Sequence, residues 1–168
     1  ASMQLQPPLA IPLYLSGTFA ELRSDHFHSG VDFRTQGVEG QKVLAIADGY
    51  VSRVAVSPTG FGKVLYIVHP GLDIMSVYAH LQGFSPQIAS YVKAQQYRQQ
   101  AFGINLFPEK NQFRFKKGDV IGLSGNSGAS GGPHLHFEIR DAATQEVLNP
   151  LDFGFTVKDF IRPNILRF

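Results

Sequence analysis

Cysteine is absent from the 168-residue sequence, and so is any long apolar run. Without cysteine the chain can form neither disulfide bonds nor thiolate metal sites, so a metal ion would have to be held by histidine, aspartate or glutamate. A membrane-spanning helix needs roughly 20 consecutive apolar residues, and no stretch approaches that length. We therefore predict no transmembrane segment.

Basic residues are too sparse to indicate a nucleic-acid partner. The 15 lysines and arginines against 13 aspartates and glutamates give a formal net charge of +2, and Lys116-Lys117 is the densest basic pair. Nucleic-acid surfaces concentrate such charge in a patch or stripe. A nucleotide site is equally unsupported, because the glycine-rich stretch 125–132 lacks the Lys-Ser/Thr ending of a P-loop and leads into strand-like sequence.

What the sequence does contain is a series of short runs rich in valine, isoleucine and tyrosine. Glycine and proline turn signals separate these runs, as in antiparallel hairpins. The predicted strands are 43–46, 50–56, 64–68, 74–78, 118–123 and 134–140. With 43% hydrophobic residues the chain is long enough for one well-packed domain and short for two. We predict a single all-β domain over residues 1–168, mainly an antiparallel sheet, with its core at about 16–150.

One segment departs from the strand pattern. Ser85-Pro86 is a typical helix start, since proline is tolerated at the first helical position after a capping serine. Ile88, Tyr91 and Val92 then follow at helical spacing. We predict an inserted helix of about three turns that packs on the sheet, within an insertion at about 84–113. The apolar tail 151–168 is expected either to pack back on the sheet or to lead into a further domain.

A His-x-His pair lies on the last predicted strand, directly after the glycine-rich stretch. Because a strand turns alternate side chains to opposite faces, His134, His136 and Glu138 share one face and the apolar residues between them share the other. Two imidazoles placed in this way, roughly 7 Å apart at their backbones, can both reach one metal ion or its bound water. Further ligands must come from elsewhere in the chain. For Glu138 two roles stay open: orienting a ligand imidazole, or forming an ion pair with an arginine.

The other four histidines are the candidate partners of this pair. His28 and Asp32 form a His-x-x-x-Asp motif, HSGVD, in which Ser-Gly permits a bend that brings an imidazole and a carboxylate together. His80 ends a strand in YAHL, where a buried histidine with one hydrogen bond is the usual finding. We interpret His26 as lying behind the site or on the surface, and His69 as a turn residue without chemistry. Taken singly, none of them indicates a metal site.

Taken together and in this order, HSGVD, YAHL and GPHLHFE resemble the lysostaphin-type zinc endopeptidases, the family that includes LytM-like peptidoglycan hydrolases. The resemblance extends from about Gly17 to Asn149, and the stretches ADGYVSRV, KVLYIVHP and KKGDVIGLSGNSG are also similar to strands of that family. It implies a lysostaphin/LytM-like fold. It also implies a protein of the bacterial cell envelope, periplasmic or secreted, with its signal peptide removed.

The resemblance further implies roles for five residues. It implies that His28, Asp32 and His136 bind one zinc ion per chain, and that His80 and His134 act in catalysis. Which of these two histidines is the base stays open. Three protein ligands leave a tetrahedral zinc one open position, as in catalytic sites.

The predicted function is hydrolysis of the peptide cross-links of bacterial peptidoglycan by a zinc-activated water. The glycine-rich loop is expected to let backbone approach the bound peptide closely, with Asn126 and Ser127 as hydrogen-bonding groups for it. Two alternatives stay open. One is a non-catalytic module that binds cell wall or activates another hydrolase, and the other is a peptidase acting on a protein or a glycine-rich peptide.

Overall fold

The computed structural model describes residues 4–17 and 29–158 of the chain. These residues form twelve strands, one α-helix and one 3-10 turn. The strands are β1 Leu13–Gly17, β2 Val31–Arg34, β3 Lys42–Leu44, β4 Gly49–Val56, β5 Lys63–His69, β6 Ile74–Phe84, β7 Ile104–Leu106, β8 Arg114–Phe115, β9 Val120–Ser124, β10 His134–Asp141, β11 Val147–Leu148 and β12 Val157–Lys158. The helix is α1 Pro86–Gln99, and the 3-10 turn is Pro150–Phe153.

The twelve described strands form one large sheet. Its path runs β12, β1, β2, β10, β6, β5, β4 and β7, while β3 joins through β9, which pairs with the end of β6. All pairings among the described strands are antiparallel except the one between β1 and β12. The predicted fold class, a mainly antiparallel sheet with one helix, is confirmed.

Strand β10 occupies the middle of the path, paired with β2 on one side and β6 on the other. Its residues Leu135, Phe137 and Ile139 are fully buried in the main hydrophobic core. The alternate residues His134 and His136 therefore project from the other face of a strand that is held on both sides. A side chain in this position is fixed by two ladders of backbone hydrogen bonds as well as by its own contacts.

The helix packs on the sheet as predicted. Ile88 and Val92 are buried, and the Tyr91 ring lies edge-on to that of Phe113 with 5.0 Å between ring centroids. At 14 residues the helix is about one turn longer than expected. Within residues 4–17 and 29–158, no helix is both long and apolar enough to cross a membrane.

The two ends of the described chain pack together. The Pro-rich lead-in forms strand β1 as well as extended chain, and its Leu9 pairs with Val43 across an isolated bridge. Strand β12 pairs with β1, and the Phe155 ring lies 5.8 Å from that of Phe137 between centroids. Residues 151–158 thus pack back on the sheet, one of the two expectations for the tail, and the remainder of the tail lies outside the described residues.

His69 is a buried structural histidine at the end of β5. Its Nδ1 hydrogen is donated to the Asp48 backbone oxygen over 3.0 Å, and its Nε2 lies 2.7 Å from the Ser76 hydroxyl oxygen. The Ser76 oxygen in turn lies 2.8 Å from the Tyr78 hydroxyl. Burial lowers the pKa of His69, and the bond to the Asp48 backbone oxygen opposes the shift only in part. The imidazole is therefore neutral in the folded protein near pH 7.

This burial predicts a pH dependence of stability. Because the folded-state pKa of His69 lies below its ordinary value of 6.5, neutral His69 favours folding above that pH, and the contribution is lost as the pH falls below it. We expect the free energy of unfolding of the wild type to fall more steeply between about pH 7 and pH 5 than that of His69→Gln. Urea unfolding across this range measures both, and parallel profiles would contradict the prediction.

Candidate functional site

Asp32, His134 and His136 lie side by side because β2 and β10 pair in register. Asp32 is directly opposite His136 in the ladder, and Arg34 is opposite His134. The Asp32 Oδ1 atom lies 3.0 Å from His136 Nδ1 and 3.7 Å from His134 Nε2. A carboxylate predicted from HSGVD and both histidines predicted from HLH therefore converge, although about a hundred residues separate them in sequence.

His80, on β6, lies next to Asp32, His134 and His136 because the strand is irregular at this residue. Its φ is +60°, a left-handed conformation that costs a non-glycine residue energy, and the register between β5 and β6 shifts next to it. Its backbone N–H donates to the Phe61 carbonyl over 2.9 Å. The His80 ring lies 4.8 Å from the His134 ring and 6.0 Å from the His136 ring, measured between centroids. The bulge thus turns His80 toward the histidine pair.

Two of the three predicted metal ligands are described, and they suit zinc. Two atoms that bind one tetrahedral zinc at about 2.0–2.1 Å lie roughly 3.3 Å apart, close to the 3.0 Å between Asp32 Oδ1 and His136 Nδ1. The third, His28, lies outside the described residues, and so does His26. Within residues 4–17 and 29–158, no set of three or more histidine, aspartate and glutamate side chains is arranged to hold a metal ion. A third ligand would therefore have to come from outside the described residues, where His28 lies.

The glycine-rich loop, residues 125–132, holds both predicted catalytic histidines through its backbone. His80 Nδ1 donates to the Ser127 carbonyl and His134 Nδ1 donates to the Gly132 carbonyl, each over 2.8 Å. A carbonyl oxygen can only accept a hydrogen bond, so each neutral imidazole carries its proton on Nδ1. The Nε2 atoms are then left as proton acceptors. This role could not be predicted from the sequence, because every residue type has a main-chain carbonyl.

The protonation state of His80 follows from its burial. Burial lowers the pKa of His80 to about 4, the bond to the Ser127 carbonyl opposes the shift, and the neighbouring His134 and His136 add to it. His80 is therefore neutral at pH 7. A neutral imidazole with its proton on Nδ1 can accept a second proton on Nε2, as a general base requires.

His136 differs from these two histidines because carboxylates contact both of its nitrogens. Its Nδ1 faces Asp32, and its Nε2 donates to Glu138 Oε2 over 2.7 Å. Burial lowers the pKa of His136, but its hydrogen bonds to Asp32 and Glu138 outweigh burial and hold the pKa above its usual value. Glu138 also pairs with Arg140, whose Nη2 lies 2.8 Å from Oε1. The ion pair with an arginine is thus present, and the same carboxylate also contacts the His136 imidazole; that it orients a metal ligand stays a prediction.

The loop that holds His80 is itself anchored on the hairpin between β4 and β5. Gly128 has φ +77°, and a Cβ atom there would collide with the backbone nitrogen of Gly62. The Ser127 hydroxyl donates to the Leu81 carbonyl over 2.6 Å and accepts from the Lys63 N–H over 3.0 Å. Ser127 thus fastens the loop with its side chain while its carbonyl orients His80. This use of the hydroxyl differs from the expected contact with substrate.

Asn126, the predicted substrate-binding residue, lies next to this anchor in the loop. Its side chain is partly buried, and its Oδ1 atom is buried without a hydrogen-bond partner among the described residues. An unpaired buried acceptor is costly, and such groups merit a specific explanation. Nothing in the described chain supplies one, and contact of Asn126 with substrate stays a prediction.

Comparison with known proteins places this geometry in a family. A sequence model of peptidase family M23 matches residues 26–97 and 108–150. An uncharacterized metalloprotease of Haemophilus influenzae is 37% identical over 124 residues, which are 74% of this chain and 20% of that protein. The DD-carboxypeptidase/endopeptidase Mpg of Neisseria meningitidis is 31% identical over 119 residues, 71% of this chain and 21% of that protein. The chain thus spans about a fifth of the length of these relatives.

The fold of the chain is also similar to the folds of solved peptidase structures. A zinc-containing peptidase from Vibrio cholerae superposes with a TM-score of 0.60 at 25% identity, covering 84% of this chain and 37% of that one. The catalytic domain of lysostaphin from Staphylococcus simulans gives a TM-score of 0.57 at 23% identity, covering 82% and 86%. The resemblance predicted from HSGVD, YAHL and GPHLHFE is confirmed. On the match of the family model and the identity to its relatives, this chain belongs to peptidase family M23.

Proposed function

We propose that the chain is a zinc-dependent endopeptidase that hydrolyses peptide cross-links of bacterial peptidoglycan. The observation that carries the proposal is the convergence of Asp32, His134 and His136 across β2 and β10, with His80 turned toward them by its bulge. Metal ligands beside two histidines suited to proton transfer are the groups that metal-assisted hydrolysis needs. Membership of peptidase family M23 supports the reaction class.

His28, Asp32 and His136 would hold the zinc ion, one per chain. Asp32 and His136 offer an oxygen and a nitrogen of the types that zinc prefers, at a separation that fits a shared ion. Bound zinc supplies Lewis-acid activation of a water molecule and of the scissile carbonyl. Three such ligands would leave room on the ion for these groups.

His80 and His134 would move the protons. Both carry their hydrogen on Nδ1, where a loop carbonyl holds it, so that both present Nε2 as an acceptor. One of them can take the proton of the attacking water and return it to the leaving amine, while the other, after taking up a proton from solvent on Nε2, can donate a hydrogen bond to the developing oxyanion. Because the imidazoles are fixed before substrate arrives, neither has to reorient during the reaction.

The substrate and location are proposed from the named relatives. The Neisseria relative is named a DD-carboxypeptidase/endopeptidase, and the structural relative lysostaphin is named an antimicrobial peptidase. Together with the resemblance to peptidoglycan hydrolases, these names favour the peptide part of the bacterial cell wall as substrate. They also favour the cell envelope, periplasmic or secreted, as the place where the chain acts.

The direct test is release of amino groups from purified peptidoglycan. We expect the zinc-loaded protein to release new amino groups, a chelator to stop the release, and added zinc to restore it, because each cleaved peptide bond exposes one amine. His69→Gln, which alters a buried histidine of the β5 end, is expected to retain the activity and serves as control. Binding to peptidoglycan without amine release would refute the proposal and favour the non-catalytic module.

The scissile bond requires defined peptides. Digestion of synthetic cross-linked stem peptides and of glycine-rich peptides, followed by mass spectrometry, assigns the cleaved bond by product mass. Cleavage of the cross-link is the expected result. Cleavage confined to glycine-rich peptides or to an unrelated protein would replace the cross-link by that substrate.

A further inference from the structure

The carboxylate of Glu138 is fully buried and bonded at both oxygens. Its Oε2 accepts from His136 Nε2 over 2.7 Å and from the Ser29 hydroxyl over 2.5 Å. Its Oε1 accepts from Arg140 Nε over 2.8 Å, and Arg140 Nη2 also lies 2.8 Å from it. An ionised carboxylate only accepts hydrogen bonds, and here donors surround it. Its position and orientation are therefore fixed from three directions.

One oxygen of Glu138 joins the two parts of the chain that carry proposed metal ligands. Ser29 directly follows His28 in sequence, and His136 is on β10. Gly30 makes the approach possible, since a Cβ atom at that position would collide with the Phe137 carbonyl and with Glu138 Cγ. The chain just after His28 can thus lie against β10 only because residue 30 has no side chain.

The same contact decides which nitrogen of His136 is available to a metal ion. Because Glu138 Oε2 can only accept, the Nε2 of His136 carries a hydrogen. Nδ1 contacts the Asp32 carboxylate at 3.0 Å, and because Asp32 is itself a proposed ligand, Nδ1 is the nitrogen that would give up its hydrogen to a metal ion shared with Asp32. A carboxylate that holds the outer nitrogen of a ligand histidine fixes both its tautomer and its ring orientation.

We propose that Glu138, assisted by Ser29, is a positioning residue of the metal centre: it directs His136 Nδ1 toward Asp32 and holds the residues after His28 against β10. The proposal rests on the proposed zinc site. A purely structural Glu138, present to neutralise Arg140, would need neither the bond to His136 nor the bond to Ser29. Both of those bonds are made by the oxygen that does not contact the arginine Nε.

The test measures zinc affinity of zinc-depleted protein by competition with a chromophoric chelator. Glu138→Gln keeps the shape but cannot accept at both former oxygens, so we expect zinc to bind about 10–100-fold more weakly. Ser29→Ala removes one donor and should fall near the lower end of that range. Ser76→Ala, which removes a buried serine hydroxyl contacting His69 and Tyr78, is the matched control and should keep the wild-type affinity.

A second readout separates positioning from a general loss of stability. The visible absorption of the Co²⁺-loaded protein reports the geometry of the bound metal, and we expect it to change in Glu138→Gln and to stay unchanged in Ser76→Ala. Should Glu138→Gln not fold, Ser29→Ala carries the test alone. Wild-type zinc affinity and an unchanged Co²⁺ spectrum in both Glu138→Gln and Ser29→Ala would overturn the inference while leaving the zinc site in place. Failure of the wild type to bind zinc would overturn the site and the inference together.

Discussion

Replacing Asp32 with alanine is expected to abolish hydrolysis and to weaken zinc binding by more than about 100-fold. Loss of a residue that merely supports a ligand already costs about 10–100-fold in metal affinity, and Asp32 is proposed as a ligand itself. Its Oδ1 lies 3.0 Å from His136 Nδ1, so the alanine substitution would remove the oxygen ligand next to His136. Chelator competition measures the affinity, and amine release from peptidoglycan measures the activity.

Asp141→Ala provides the matched control for this substitution. Asp141 ends β10, and its Oδ1 accepts from the backbone N–H groups of Ala143 and Thr144, each over 2.9 Å, so it serves a turn and not the site. We expect this variant to bind one zinc ion with wild-type affinity. His28→Ala should behave like Asp32→Ala if His28 completes the ligand set. Retention of full zinc affinity in Asp32→Ala would remove Asp32 from the metal centre.

The parts of the site that lie on β10 were predictable because strand periodicity is local. A period of two residues puts His134 and His136 on one face, and the apolar residues between them occupy the core face in the structure. The same reasoning located β4 and β5 to within one residue at each end, and it located the start of β6, which continues six residues beyond its predicted end. Helix α1 followed from a capping position, a proline and three apolar residues, all within eight positions of one another.

The convergence of Asp32 with the histidines could not be derived from any one segment. HSGVD alone is a weak signal, and the short strand β2 owes its formation to pairing with β10 and β1, which local sequence does not reveal. What pointed to the site was the resemblance of several weak motifs, taken in their order along the chain, to the pattern of a known family. No single stretch contains this information about non-local pairing.

The supports of the site were missed for a different reason. The carbonyls of Ser127 and Gly132 orient His80 and His134, and every residue type offers a carbonyl. The left-handed backbone of His80 likewise could not be predicted, since non-glycine residues seldom adopt this conformation. Glycines such as Gly30, Gly62, Gly125 and Gly128, where a Cβ atom would collide with a neighbouring strand or loop, did leave a trace of the packing in residue type.

Replacing His80 with alanine is expected to lower kcat/KM by about 10²–10⁴-fold, the usual contribution of one general acid–base group. Zinc content should stay at the wild-type value, because the Nδ1 of His80 is bonded to the Ser127 carbonyl and His80 is not among the proposed ligands. Activity on peptidoglycan and metal content by atomic absorption measure the two quantities. An alanine variant that cleaves at the wild-type rate would remove His80 from the mechanism, and one that loses zinc would make it a ligand.

Comparing His80→Gly with His80→Ala then separates the backbone of this position from its side chain. Both variants lack the imidazole and should be equally inactive. At φ +60° the left-handed backbone costs alanine energy that it does not cost glycine, while glycine has more conformational freedom to lose from the unfolded chain. On balance we expect the free energy of unfolding of His80→Gly to exceed that of His80→Ala by roughly 0.5–1 kcal/mol. Equal stabilities in urea would mean that the bulge relaxes once the imidazole is gone, so that the bond to Ser127 maintains it. A more stable glycine variant would mean that the pairing of β5, β6 and β9 imposes the conformation, and that the sheet itself holds His80 toward the site.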